Sequence, residues 1–197
     1  MRLSAQDLQR LKAQGKLPAQ LHAALSQQGS AHLAALGQLR SQPSRYQQQM
    51  EYFDQIILLL WLERYRPDLY QLCYAIPNGG LRSGSVAGQM KASGQKSGYP
   101  DLGLDLARGR YHGLRIELKR SDGKGKQSPS QQQWHDRLLQ AGYCYALCHG
   151  YAMAISVMTA YADLALGHFD QKSELDLDQL PAYPVVFDLQ SQLFIGR

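Results

Sequence analysis

The longest unbroken apolar run in the chain is IILLLWL at 56–62, and the residues just before it are largely polar. From about Arg45 to Arg64 this pattern predicts one helix with solvated first turns and a second half that is apolar nearly all round. Such a half must be packed deep. Pro43, within SQPS at 41–44, disfavours helix at the residue before it, and Ser44 is a plausible N-cap. Seven apolar residues fall far short of the roughly 20 needed to span a bilayer, so no membrane segment is expected. Upstream, Leu8, Leu11, Leu21, Leu25, Leu33 and Leu36 are spaced as in short amphipathic helices, so residues 1–44 read as an appended helical extension.

Downstream, a short strand at about Leu72–Ile76 enters a glycine-rich loop, 77–100, interrupted by a helical turn near Val86–Ala92. Long irregular loops in compact domains are often functional. LGLDLA at 102–107 and LRIELK at 114–119 alternate as strands, and the turn residues Arg108–Gly113 join them into a hairpin. Ser128, Pro129 and Gln131 occupy N-cap, N1 and N3 of a further helix, a capping-box pattern that Gly142 closes at the far end. YCYALC at 143–148 is a buried strand and Ala152–Leu166 a last helix. The order is α-β-β-β-α-β-α, an α/β domain over 45–167. Residues 168–197 form an acidic C-terminal tail with one apolar stretch, YPVVFDL at 183–189, to which no element is assigned.

At 197 residues and 44% hydrophobic content the chain can bury one ordinary core. Cys73, Cys144 and Cys148 are too few and too irregular for a disulfide framework, and in YCYALC the last two read as small hydrophobes rather than a metal pair. The N-terminus lacks the apolar stretch and cleavage site of a secretory signal, so a reducing, cytoplasmic setting is expected. Net charge is +5 and unevenly spread. Residues 79–126 hold ten Lys and Arg against four acids, whereas 163–188 hold six acids against Lys172 alone. A polyanion such as nucleic acid suits the basic segment, and a solvated loop with no partner accounts for it equally well. No GxSxG, phosphate-binding loop or dinucleotide fingerprint occurs, and His112, His135 and His149 lack metal-ligand spacing.

Alternation in LRIELK sets Arg115, Glu117 and Lys119 on the face opposite Leu114, Ile116 and Leu118. In the preceding strand Asp101, Gly103 and Asp105 oppose the leucines, and antiparallel pairing brings Asp101 beside Glu117. Two carboxylates and an ammonium on one face can bind magnesium and neutralise charge on a phosphodiester. Exposed cross-strand ion pairs of little energetic weight account for the same spacing, and on spacing alone that reading is favoured. Gln131 is explained already by its cap, and Glu51 by the helix dipole. Asp105 is an alternative to Asp101, and Asn78-Gly79 is either a tight turn or part of a substrate-facing loop.

A longer pattern runs through Glu51-x3-Gln55-x5-Trp61, IPNGGLR at 76–82, Lys91-x2-Gly94-x3-Gly98-x-PDL, YHGLRIELKR at 111–120, SPSQQQW at 128–134 and LLQAGY at 138–143. In order and spacing it resembles the VRR-NUC family of the PD-(D/E)XK nuclease superfamily, over about Glu51 to Leu164. That resemblance implies a restriction-endonuclease-like αβββαβ core with a mixed central sheet flanked by helices. It implies cleavage of DNA with Mg2+ or Mn2+, often at branched structures such as four-way junctions or flaps. Carried over by position, Asp101 and Glu117 are metal-binding acids, Lys119 is the catalytic lysine, Glu51 completes the metal site, the Leu118 carbonyl adds a ligand and Gln131 joins the catalytic group. Asn78, Arg82, Lys91, Lys96, Arg120, Lys124 and Lys126 are the DNA-binding candidates. Resemblance to junction-resolving enzymes makes a homodimer the expected assembly, and the reading from a different class is a non-cleaving DNA-binding or assembly protein on a nuclease-derived fold.

Overall fold

The computed structural model describes residues 29–77, 84–165, 175–181 and 183–196. The leucines expected to form helices before residue 29, and the loop candidates Asn78 and Arg82, lie outside them. The elements are α1 (Ala31–Ser41), α2 (Ser44–Gln48), α3 (Met50–Tyr65), α4 (Pro67–Tyr70), β1 (Cys73–Ala75), α5 (Gly84–Ala92), β2 (Leu102–Leu104), β3 (Leu114–Lys119), α6 (Pro129–Gln140), β4 (Cys144–His149), α7 (Gly150–Ala162), β5 (Val185–Asp188) and β6 (Leu193–Gly196), with a 3-10 turn at Leu177–Gln179. Among the described residues no helix is long and apolar enough to cross a membrane.

One mixed sheet carries the fold, in the order β1-β2-β3-β4. β1 with β2 and β2 with β3 are antiparallel, while β3 and β4 run parallel from Leu114↔Cys144 to Lys119↔His149. A parallel return needs a crossover, and α6 supplies it. Its capping box forms as the sequence predicts: the Ser128 hydroxyl accepts from the Gln131 amide at 3.3 Å and the Gln131 side chain accepts from the Ser128 amide at 2.8 Å. Gly142 ends the crossover at φ +79°, where a Cβ would lie 2.7 Å from the His112 ring, so both conformation and space require glycine.

The helix expected from Arg45 to Arg64 is broken at Gln49 (φ −132°, ψ 47°), and Pro43 rather than Ser44 precedes its first segment, without a side-chain cap. Beyond the break, the middle of α3 from Ile56 to Leu62 is apolar on all sides because it serves two cores. Leu58, Trp61 and Leu62 face the sheet with Leu102, Leu104, Leu114, Ile116, Leu118 and the α7 residues Ile155 and Met158. Phe53, Ile56, Ile57 and Leu60 pack instead against Leu36 and Leu39 of α1 and Phe187 of β5. The apolar stretch at the C-terminus is therefore half of a hairpin, β5 with β6 from Val185↔Gly196 to Asp188↔Leu193, and it is seated on the back of α3. LGLDLA pairs only over Leu102–Leu104, so the second expected strand is shorter than its alternation. Cys144 and Cys148 form no disulfide among the described residues and are buried, as small hydrophobes.

The hairpin's anchor is Phe187, 5% exposed against Leu36, Leu39 and α3. Phe187→Ala is expected to lower the unfolding free energy by about 3 kcal/mol, as large-to-small core changes do. Urea denaturation checks it; a loss under roughly 0.5 kcal/mol, typical of surface changes, would show the hairpin to be peripheral.

Candidate active site

β3 is an inner strand, and its polar face is as buried as its apolar one. Arg115 is 5% exposed, Glu117 1% and Lys119 7%. Solvated cross-strand ion pairs therefore do not describe this face. The Lys119 Nζ donates to Glu117 Oε1 at 2.8 Å and to Gln131 Oε1 at 3.2 Å, and the Gln131 Nε2 donates to the same Glu117 oxygen. Gln131 thus makes its capping bond and also contacts Glu117 and Lys119. Its Oε1 closes the cap of α6 and receives Lys119, while its Nε2 holds Glu117.

Asp101 enters from the start of β2. The β2–β3 register, Leu102↔Ile116, extends one step to set Asp101 opposite Glu117. Asp101 is anchored twice, its carbonyl accepting from the Ile76 amide at 2.7 Å and its Oδ2 from the Leu118 amide at 2.8 Å. The N–H and C=O of one strand residue leave on the same side, so the Leu118 carbonyl also heads towards Asp101.

The electrostatics follow from crowding acids in a dry place. Burial, then the neighbouring Asp101 charge, pushes Glu117 up to about 7 despite Lys119. Burial likewise raises Asp101 against the opposing pull of the Leu118 amide and Lys119. Two carboxyls sharing one site resist ionising together. Glu51 sits in the first turn of α3, exposed, and its charge raises both Asp101 and Glu117.

The donors suit a hard cation. Glu117 Oε2 is buried without a hydrogen-bond partner, and Asp101, Glu117 and the Leu118 carbonyl offer oxygen only. Among the described residues no group of three or more His, Cys, Asp and Glu stands ready to hold a metal, so Glu51 does not join the two acids in one cluster as the chain lies here. Magnesium uses one or two protein carboxylates and keeps its waters, and it fits that pair.

Other candidates are placed apart. Asp105 pairs with Arg115 at 3.2 Å and with the Tyr74 hydroxyl at 3.0 Å, which removes it as a substitute for Asp101. Arg115 turns away from the acids to stack on Tyr143, 4.4 Å from the ring centre. Lys91, Lys96, Lys124 and Lys126 are exposed, and Arg120 is held by Asp122 at 2.8 Å. His135 packs on Tyr145, ring centres 4.8 Å apart, and His112 and His149 stand far from each other in the fold's plan, at a turn and a strand end. Sequence reasoning missed Asp54, fully buried in α3 with its Oδ1 accepting from the Tyr46 hydroxyl at 2.6 Å. The available signal was an acid inside the apolar run that begins at Phe53.

Comparison with known proteins places the fold. A solved structure described as "VRR_NUC domain protein" aligns with 64% of this chain and 96% of its own, at 36% identity and a TM-score of 0.55. The chain belongs to the VRR-NUC family. No family profile and no curated protein matches it. As a VRR-NUC protein it brings together, from separate elements, Asp101, Glu117, Lys119 and Gln131 of the family-like pattern.

The raised Glu117 carries a pH signature. A carboxyl whose folded pKa lies above its unfolded value adds stability that is full below the unfolded value, near 4.5, and is lost as pH rises through about 7. In metal-free buffer Glu117→Gln is therefore expected to gain on wild type between pH 5 and 8. Roughly 1 kcal/mol of gain corresponds to about 2–4 °C in melting temperature for a chain of this size. A melting difference that does not change over that interval would show Glu117 to be ordinary.

Proposed function

We propose that the protein is a Mg2+- or Mn2+-dependent DNA endonuclease that hydrolyses phosphodiester bonds, with branched DNA such as four-way junctions or flaps as its substrate. The observation that carries this is the buried Asp101–Glu117–Lys119–Gln131 cluster with an unpartnered Glu117 oxygen, in a chain of the VRR-NUC family. The succession α3, β1, β2, β3, α6, β4, with α4 and α5 inserted, supports reading the domain as a restriction-endonuclease-like αβββαβ core of the PD-(D/E)XK superfamily.

Asp101, Glu117 and the Leu118 carbonyl would hold the cation, with Glu51 approaching from α3. When bound, the ion supplies Lewis acidity and a water of lowered pKa. The protein's own groups do the rest. The Leu118 amide holds the Asp101 carboxylate in place. Gln131 donates to Glu117 and accepts from Lys119, which holds the two side chains beside each other. The Lys119 ammonium, which donates to Glu117 here, would be the charged donor offered to a scissile phosphate oxygen or to the attacking water.

Exposed Lys91, Lys96, Lys124 and Lys126, with the half-buried Arg120, would hold the phosphate backbone without reading bases. Asn78 and Arg82 are assigned the same task from the family-like motif. Symmetric cutting of a four-way junction calls for two active sites, hence a homodimer. Three cysteines that form no disulfide among the described residues support a reducing, cytoplasmic setting.

Two results are expected. Wild type should cut a labelled four-way junction or flap with Mg2+ or Mn2+ faster than linear duplex, while Asp101→Ala and Lys119→Ala lose cleavage by about 10³-fold or more and keep their DNA affinity. Tight binding by wild type with no cutting of any substrate would instead support the non-cleaving DNA-binding reading. Replacing Lys96, Lys124 and Lys126 together by Ala should flatten the log affinity against log salt slope by about 2–3, near 0.9 per lost phosphate contact. An unchanged slope would remove these lysines from the interface.

A further inference from the structure

Asp54 is a carboxylate with no exposed surface, at the edge of the apolar half of α3, and among the described residues no strong hydrogen bond reaches its Oδ2, beside which Ser121 lies. Among the described residues no lysine or arginine forms an ion pair with it. Burial of such a group is costly unless its bonds serve a purpose. Its bonds lead in a definite direction. The Tyr46 hydroxyl gives its only proton to Asp54 Oδ1 at 2.6 Å, and the Ser121 hydroxyl stands 3.1 Å from the same phenol oxygen, where Ser121 also acts on the Asp54 carboxyl directly. Three elements are thereby tied: α2 through Tyr46, α3 through Asp54, and the end of β3 through Ser121, two residues beyond Lys119.

The tie spans the break at Gln49, where α3 begins with no side-chain cap. Glu51 lies in that uncapped first turn, one turn before Asp54. On the other side the tie is backed by Gly150 at the start of α7. It has φ +82°, and a Cβ there would lie 2.6 Å from Ser121 Cβ and 3.7 Å from Asp54 Oδ2. A side chain at 150 would drive Ser121 off its place.

We propose that Asp54 is a positioning residue: through Tyr46 and Ser121 it locks the first turn of α3 to the end of β3, and so sets where Glu51 stands relative to Asp101 and Glu117. This rests on the metal-dependent nuclease reading, because it gives Asp54 its effect through the cation site. The lock works by accepting a hydrogen bond, so an asparagine retaining that oxygen preserves it and an apolar residue of similar size abolishes it.

The test is Mn2+ binding to metal-stripped protein by calorimetry, with melting temperature recorded for every variant and DNA cleavage recorded for wild type. Asp54→Leu and Tyr46→Phe should each weaken Mn2+ binding about 5–10-fold, Asp54→Asn less than about 2-fold, and Asp54→Leu should add nothing to Glu51→Gln, since residues acting through one another are not additive. Tyr46→Phe keeps the ring beside Phe53 and stands in if Asp54→Leu fails to fold. Wild-type affinity in the folded Asp54→Leu or Tyr46→Phe protein, while wild type cleaves DNA, overturns this proposal and leaves the nuclease reading standing. An equal loss in Asp54→Asn overturns it in favour of a direct effect of charge, and an undiminished loss on the Glu51→Gln background overturns it as well. A wild type that neither binds Mn2+ nor cleaves overturns both.

Discussion

The structure turns on strand β3 being enclosed. It pairs with β2 on one side and β4 on the other, so its backbone is satisfied in place and both of its faces lie under other elements. One face can be filled by Leu114, Ile116 and Leu118. The other holds Arg115, Glu117 and Lys119, and three ionisable side chains out of water need partners. Each finds one: Arg115 goes to Asp105 and the face of Tyr143, and Glu117 and Lys119 go to each other and to Gln131. Among the described residues Glu117 Oε2 and Arg115 Nε are the atoms left over on this face, and the Glu117 carboxyl feels the neighbouring Asp101 charge.

Such a cluster has to be held from several directions, and the fold supplies them in pairs. The cap of α6 and the orientation of Glu117 are made by one side chain, so the crossover helix cannot shift without the site shifting too. Asp101 is fixed by Ile76 on one side and Leu118 on the other. Helix α3 lies between two cores, with the sheet on one side and α1 and the C-terminal hairpin on the other. That double burial gives the uncapped turn with Glu51 a rigid continuation, and the Tyr46–Asp54–Ser121 bonds join it to β3. Membership of the VRR-NUC family names the domain; the energetic logic of these contacts explains why its polar groups stay together in a dry interior.

Much of this was legible before any coordinates, because the relevant signals are local. Alternation put Glu117 and Lys119 on one face, and pairing set Asp101 opposite Glu117. Ser128, Pro129, Gln131 and Gly142 marked both ends of α6 by capping chemistry that depends on neighbours only a few residues away. The all-round apolar half of α3 announced deep burial, though not the second core that demands it. By contrast, Gln47–Gln49 offers no proline or glycine to signal the break, and the hairpin formed by YPVVFDL and LFIG shows only when Phe187 finds Leu36 and Leu39 some 150 residues away in the chain.

The amino-acid sequence by itself determined the elements around the site, the face on which its acids and lysine stand, and the family-like spacing that links them. Tertiary structure alone decided whether that face is wet or dry, because burial of β3 depends on which strands and helices cover it. It also decided that Gln131 serves cap and site at once, that Asp105 belongs to Arg115, and that Asp54 joins α3 to Ser121. These are contacts between residues distant in sequence, and the strength of a charge or hydrogen bond is set by the dielectric and partners around it, which no local pattern encodes.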